Sequence, residues 1–299
     1  MTLLEALTWG EAQMRSTLSQ KRFPTMHNAK LDAQILLAHA LNKPAKYLAT
    51  HLADPLPADL FSLYQRLIER RARHEPVAYL TGSRGFYDRD MLVNSHVLIP
   101  RPETELMIEE ALKLATDQSV IADVGTGSGA IAVTMAALTN LPVFATDTSK
   151  RALNVAEQNA VANKVTHLVT FLETSLLGSA IEQFRGTPHL LVLANLPYVP
   201  LGHKKNMDPD VLQYEPHEAL FAGVDGLDAY DALLQEMHTK RSELPHRTTA
   251  LFEIDPSQMH SLPKLIRSFF PQARVEIKND LARLPRLAVI DLTPSAPPQ

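Results

Sequence analysis

Asn195-Leu-Pro-Tyr198 is the stretch best equipped for chemistry. It follows Pro188-His-Leu-Leu-Val-Leu-Ala194, an apolar run that reads as a buried strand of a parallel sheet. In an open α/β sheet the carboxyl ends of the strands are where ligands bind. Asn195 brings an amide oxygen and an amide NH2. Pro197 removes a backbone donor and holds Leu196 extended, which fixes the direction of the Leu196 carbonyl. Tyr198 supplies a flat face for stacking. One amide oxygen and one or two fixed carbonyls accept hydrogen bonds from an NH2 group. The same residues also fit a strand ending in an ordinary proline turn, and the residues upstream must separate the two readings.

Those residues are Val120-Ile-Ala-Asp-Val-Gly-Thr-Gly-Ser-Gly129, an apolar strand running into a glycine-rich turn, with an apolar helix following. This is the first βα unit of a doubly wound sheet. A second strand, Leu141-Pro-Val-Phe-Ala-Thr146, ends in Asp147, placed to accept two hydrogen bonds from a ribose diol. Two ligands compete. Gly125, Gly127 and Ala130, with Asp147 beyond, formally meet the loose dinucleotide fingerprint. Asp123, just ahead of the first glycine, instead favours S-adenosylmethionine. A carboxylate there suits the amino group of the methionine part and repels a pyrophosphate. For a ligand without phosphate the loop is a close-packing platform rather than an anion cradle.

The elements that must position these groups follow from the patterning. Residues 1–76 read as a small helical bundle, with Asn28 capping one helix and a second running from Pro57 to the basic cluster Arg70-Arg71-Ala-Arg73. His27, His39 and His51 have no partners at metal-like spacing, and no metal is expected. Residues 77–99 read as a β-hairpin linker, residues 100–293 as the ligand-binding domain and residues 294–299 as a disordered tail. Pro102, Glu103 and Glu105 start a helix with good capping chemistry, in a segment expected to lie over the cleft. Further strands are expected at 167–172, 250–254, 274–278 and 287–292, and a turn-rich active-site loop at 208–227.

Composition limits the function classes. The 299 residues contain no cysteine, which excludes disulfides, thiolate metal sites and cysteine nucleophiles. Neither a signal peptide nor a membrane-spanning run is legible, so a cytoplasmic protein is the default expectation. The net charge of −4 divides into +4 over residues 1–84 and −8 over the remainder. A mildly basic N-terminal part suits either a partner surface or a solvated helix face.

Assembled, the chain resembles the bacterial glutamine methyltransferases that modify the GGQ glutamine of peptide-chain release factors, whose relatives modify a glutamine of a large-subunit ribosomal protein. The resemblance spans about Leu31 to Asp291. It rests on Glu75-Pro-Val-Ala-Tyr-Leu-Thr-Gly82, Ile99-Pro-Arg-Pro-Glu-Thr-Glu105, the glycine loop, Asn195-Leu-Pro-Tyr198 and Tyr214-Glu-Pro-His-Glu-Ala-Leu220. It implies an α/β, Rossmann-like class I methyltransferase domain with a seven-stranded sheet, behind a helical bundle and a hairpin. It implies S-adenosylmethionine as cofactor, a release factor or ribosomal protein as substrate, and neither membrane nor direct nucleic-acid partners.

Carried over by residue, Asp123, Gly125, Thr126, Gly127, Ser128 and Gly129 would surround the methionine part, Asp147 the ribose and Leu176 the adenine. Asn195 would touch cofactor and substrate. Leu196, Pro197 and Tyr198 would hold the glutamine, with Arg101 and Glu103 also on the substrate side. Asn195, Pro197 and Tyr198 form the expected catalytic group. The chain departs from the family pattern at Leu196 (usually Pro), Ser175 (usually acidic), Leu176 (often aromatic) and Asp255 (usually Gly). Adenine-N6 methylation and a binding homologue without activity are the alternatives.

Overall fold

The computed structural model describes residues 1–18 and 28–293. His27 and the tail expected at 294–299 lie outside the described residues. The chain divides into two compact units, one of Met1–Ser83 with Asn206–Glu215, the other of Arg84–Lys205 with Pro216–Gln299.

The first unit is helical: α1 (Leu3–Leu18), α2 (Ala29–Ala40), α3 (Leu48–His51), α4 (Ala58–Ala72) and α5 (Val77–Thr81). Asn28 caps α2 by accepting from the Leu31 amide at 3.1 Å. Leu36, Leu37, Tyr64, Leu67 and Ile68 form the centre of its core. The basic cluster at the end of α4 is largely satisfied inside the unit. Buried Arg71 lies between Asp32 at 2.8 Å and Asp210 at 2.7 Å, and Arg70 pairs with Glu75. His74, Asp208 and Asp210 bring ligand-type atoms within 4.8 Å of one another. Both Asp210 oxygens are already engaged there, one by Arg71 and one by His74. The hairpin is shorter than the 77–99 span expected, because residues 77–81 form α5. Pro76 precedes that helix, and Gly82 ends it in the left-handed conformation (φ +76°).

The second unit begins with the hairpin β1 (Ser83–Phe86) and β2 (Arg89–Leu92), whose first residue falls in the first unit. A 3-10 turn at Pro102–Thr104 leads into α6 (Glu105–Leu114). Then follow β3 (Ser119–Val124), α7 (Ala130–Thr139), β4 (Val143–Asp147), α8 (Lys150–Ala162), β5 (Val169–Glu173) and β6 (His189–Ala194). After α9 (Pro209–Tyr214), which belongs to the first unit, come α10 (Asp228–Thr239), β7 (Arg247–Glu253), α11 (Ser261–Phe269), β8 (Arg274–Asn279) and β9 (Pro285–Asp291).

Seven strands form one sheet in the order β5-β4-β3-β6-β7-β9-β8, parallel except where β9 runs antiparallel to both neighbours. β3 and β6 are buried along their whole length, as their unbroken apolar runs require. One layer of core residues, including Val124, Val192, Tyr230 and Phe252, fills one face of the sheet. A second layer, including Met107, Ile121, Val133 and Leu193, fills the other. This is the Rossmann-like architecture expected. The loop expected at 208–227 is divided: residues 206–215 fold with the helical unit, where Asp210 meets Arg71 and His74.

Candidate active site

The parallel register brings four polar or glycine positions into one row. Thr146, Val124, Ala194 and Phe252 are successive register partners on β4, β3, β6 and β7. The residues one step further, Asp147, Gly125, Asn195 and Glu253, therefore emerge side by side at the carboxyl edge. Strand order reverses at β3, the switch point where open α/β sheets bind ligands.

After β3 the chain turns through Gly125, Gly127 and Gly129, all at positive φ (+72°, +56° and +78°). At two of the three, side chains are excluded by contact as well as conformation. A Cβ at Gly125 would lie 2.8 Å from the Leu196 side chain, and one at Gly129 would lie 2.9 Å from Ala156 of α8. Asp147 fastens the turn: its carboxylate accepts from the Gly127 amide at 2.9 Å and the Ser149 amide at 2.8 Å. Burial raises the Asp147 pKa, those amides oppose the rise, and the nearby charge of Glu218 adds to it.

Asp123 is fully buried under the same loop. It accepts from the Thr126 hydroxyl at 2.6 Å and the Ala132 amide at 3.0 Å, while its other oxygen has no partner among the described residues. Burial pushes its pKa up to about 7. It braces the loop from below and is not part of the cavity wall.

A cavity of about 600 Å³ opens over this edge, a size that suits a nucleoside-type cofactor. Of the residues singled out from sequence, Arg101, Gly125, Thr126, Gly127, Ser128, Asp147, Leu176, Asn195, Leu196 and Pro197 line it. Asp123, Gly129, Glu103 and Tyr198 do not. Glu103 is exposed. Tyr198 packs against the core and donates its hydroxyl to Glu253 at 3.0 Å, so the flat face expected for stacking is not part of the wall. Burial, then the Glu253 charge, holds the Tyr198 phenol well above its ordinary pKa, keeping it a donor. Leu196, where the family usually has proline, is buried beneath the glycine turn. Leu176 lines the cavity at φ +52°, a conformation uncommon for a branched side chain.

Three contributors were not singled out by sequence reasoning. Glu218 lines the cavity. Thr104 and Glu253 join Asn195 in a buried network: Asn195 Nδ2 donates to Thr104 Oγ1 at 3.1 Å, and Thr104 Oγ1 donates to Glu253 Oε2 at 2.7 Å. Burial raises the Glu253 pKa, opposed by the Thr104 and Tyr198 hydroxyls and by the charge of Arg286. Thr104 was obscured because helix capping already accounted for its segment. Glu253 did carry a signal, since a carboxylate ends an apolar strand there as Asp147 does on β4.

The wall suits S-adenosylmethionine better than a dinucleotide. Two carboxylates, Asp147 and Glu218, face the cavity. They would repel a pyrophosphate and suit a cationic sulfonium. The glycine turn offers backbone approach at positions where a Cβ would collide (Gly125, Gly129) or would need a left-handed backbone (Gly127).

Known proteins place the chain in a family. The family model "PrmC N-terminal domain" matches residues 5–82, and "Ribosomal protein L11 methyltransferase (PrmA)" matches residues 102–197. The release factor glutamine methyltransferase of Xylella fastidiosa (strain Temecula1) is 43% identical over 203 residues, covering 67% of this chain and 72% of that protein. That of Bacillus anthracis is 30% identical over 298 residues, covering 98% of this chain and all of the relative.

The chain belongs to the release factor glutamine methyltransferase family.

Members of this family are methyltransferases that use S-adenosylmethionine. A bifunctional methyltransferase of Rickettsia typhi is 36% identical over 225 residues, and the alignment spans only 43% of its length. The hMettl16 catalytic domain, solved in complex with MAT2A 3'UTR hairpin 6, has the same fold at 15% identity. Its TM-score is 0.54, and the match covers 67% of this chain and 74% of that one. Among the described residues no helix is long and apolar enough to cross a membrane.

Proposed function

We propose that this protein transfers a methyl group from S-adenosylmethionine to the side-chain amide nitrogen of a protein glutamine, that of the GGQ motif of a peptide-chain release factor. The observation that carries this is Asn195 beside the glycine turn at the switch point, on the wall of the cavity, followed by Leu196 and Pro197. The names of the two relatives called release factor glutamine methyltransferase, one of them matched over its whole length, support a release factor over a ribosomal protein as substrate.

A carboxamide nitrogen is a weak nucleophile because its lone pair is delocalised into the carbonyl. Asn195 Oδ1 and the Leu196 carbonyl accept its two N–H bonds, hold the lone pair toward the donor and stabilise the positive charge that develops on nitrogen. Pro197 fixes the Leu196 carbonyl and donates nothing that would compete. Asp147 would hold the ribose hydroxyls, and the glycine turn would pack against the methionine part. When bound, the cofactor would supply an already activated methyl group and leave as S-adenosylhomocysteine, so no side chain need act as a strong base before transfer, and the proton on the methylated nitrogen is lost to water afterwards. The setting is the cytoplasm, where release factors act.

The test is transfer of label from S-adenosylmethionine to a purified release factor, with a GGQ-to-GGA variant as control. Label on the parent factor and none on the variant is the expected result. Label retained by the variant contradicts the assigned acceptor. No label on either factor, with tight cofactor binding, redirects the search to a ribosomal protein.

A further inference from the structure

Asn195 can serve as an acceptor only if its amide oxygen, rather than its NH2, faces the cavity. The two ends of an amide are nearly the same size, so shape alone does not decide between them. The buried network behind Asn195 does. Glu253 leaves β7 directly beside Asn195 leaving β6, because Ala194 and Phe252 are register partners. Its side chain is buried, with one oxygen accepting from the Tyr198 hydroxyl and the other from Thr104 Oγ1. Burial favours the neutral acid, whereas the Tyr198 and Thr104 hydroxyls and the charge of Arg286 favour the carboxylate; as a carboxylate Glu253 has no proton to give, and both hydroxyls donate to it.

Thr104 has one hydroxyl proton and spends it on Glu253. Its oxygen can then only accept. The group 3.1 Å away on Asn195 must therefore be the NH2. With the amide turned over, Oδ1 would meet an oxygen whose proton points elsewhere, leaving two buried acceptors face to face. We infer that Glu253, acting through Thr104, sets the polarity of the Asn195 amide so that Oδ1 is presented to the substrate. Glu253 and Thr104 are positioning residues: neither needs to touch the transferred methyl. Tyr198, which follows in the same motif, fills the second oxygen of Glu253 from the other side. The inference rests on the reading of Asn195 as the acceptor for a substrate NH2.

The test uses the full chain with three substitutions. Thr104→Val keeps the shape and removes the hydroxyl, Thr104→Ser restores it, and Glu253→Met removes the carboxylate and frees the Thr104 proton. In the 15N-labelled parent, the Asn195 side-chain NH2, assigned with Asn195→Ala, should exchange slowly with water and show a nuclear Overhauser effect to the Thr104 β proton. Exchange should quicken in Thr104→Val and Glu253→Met and slow again in Thr104→Ser. Turnover should follow the same order, with kcat down at least tenfold in the first two, most of it recovered in Thr104→Ser, and cofactor affinity within about threefold throughout. Equal exchange in parent and Thr104→Val, or a Thr104→Val enzyme with parental kcat, overturns the inference. The resonance measurement needs no methyl transfer, so it decides the amide polarity even if glutamine proves not to be the acceptor.

Discussion

Asp147 does two jobs with one carboxylate. It accepts from the amides of Gly127 and Ser149, which holds the glycine turn in place, and it still lines the cavity with lone pairs to spare. Removing it should therefore reduce cofactor affinity twice over, by losing the proposed ribose contacts and by loosening the turn. Asp147→Ala is expected to weaken S-adenosylmethionine binding by roughly 10- to 100-fold, as loss of one or two charge-assisted hydrogen bonds implies, measured by calorimetric titration. Binding within a factor of two of the parent would refute its assignment to the ribose. Asp147 was legible because an acidic residue ending an apolar strand has a recognisable place at a sheet edge. Asp123 was legible as part of the loop, but its role was not. Only the fold shows that both its hydrogen bonds run to the loop and α7, beneath the wall.

At the scale of elements, Asn159 of α8 links the hairpin to the glycine turn. Its fully buried side chain donates to the Leu92 and Ser128 carbonyls at 2.9 and 2.8 Å and accepts from the Leu92 amide at 2.7 Å. Asn159→Ala leaves three backbone groups without that partner and should cost about 2–4 kcal/mol of stability. Denaturant melts would check this, and a loss below about 0.5 kcal/mol would contradict it. A similar brace sits opposite, where Glu236 of α10 accepts from the Leu177 and Gly178 amides at 2.9 and 3.0 Å and so steadies the turn carrying Leu176. Neither Asn159 nor Glu236 could be read from sequence, because each lies on a helix whose spacing already explains a polar residue. The strands were legible from their apolar runs. The division of the 208–227 loop was not, since it depends on Asp210 meeting residues more than 130 positions earlier.

Across the whole molecule, buried titratable groups make stability depend on pH in a direction that can be stated in advance. Burial pushes the Asp123 pKa up to about 7 in the folded protein, against 3.8 for a solvent-exposed aspartate. Its contribution is fully present below pH 3.8 and is lost as pH rises through about 7, because the folded protein holds that proton more tightly. Asp123→Asn removes this loss. The stability of the variant relative to the parent should therefore climb between about pH 4 and pH 7 and level off above. A difference independent of pH would show that Asp123 is ionised throughout that range.

The architecture as a whole was legible in sequence, since strand runs, the glycine turn and Asn195-Leu-Pro-Tyr198 each mark a sheet edge by local chemistry. What was hidden is the alignment of Asp147, Gly125, Asn195 and Glu253 in one row, which only strand order and register create. The proposed mechanism requires Asn195 to act on the acceptor amide more than on the cofactor. The most direct measurement pairs the turnover of Asn195→Ala with its affinity for S-adenosylmethionine. In Asn195→Ala kcat is expected to fall by at least about 100-fold, as removal of a transition-state hydrogen-bonding group does, while cofactor affinity changes by less than about fivefold. Turnover close to that of the parent, or a loss explained wholly by failed cofactor binding, would contradict it.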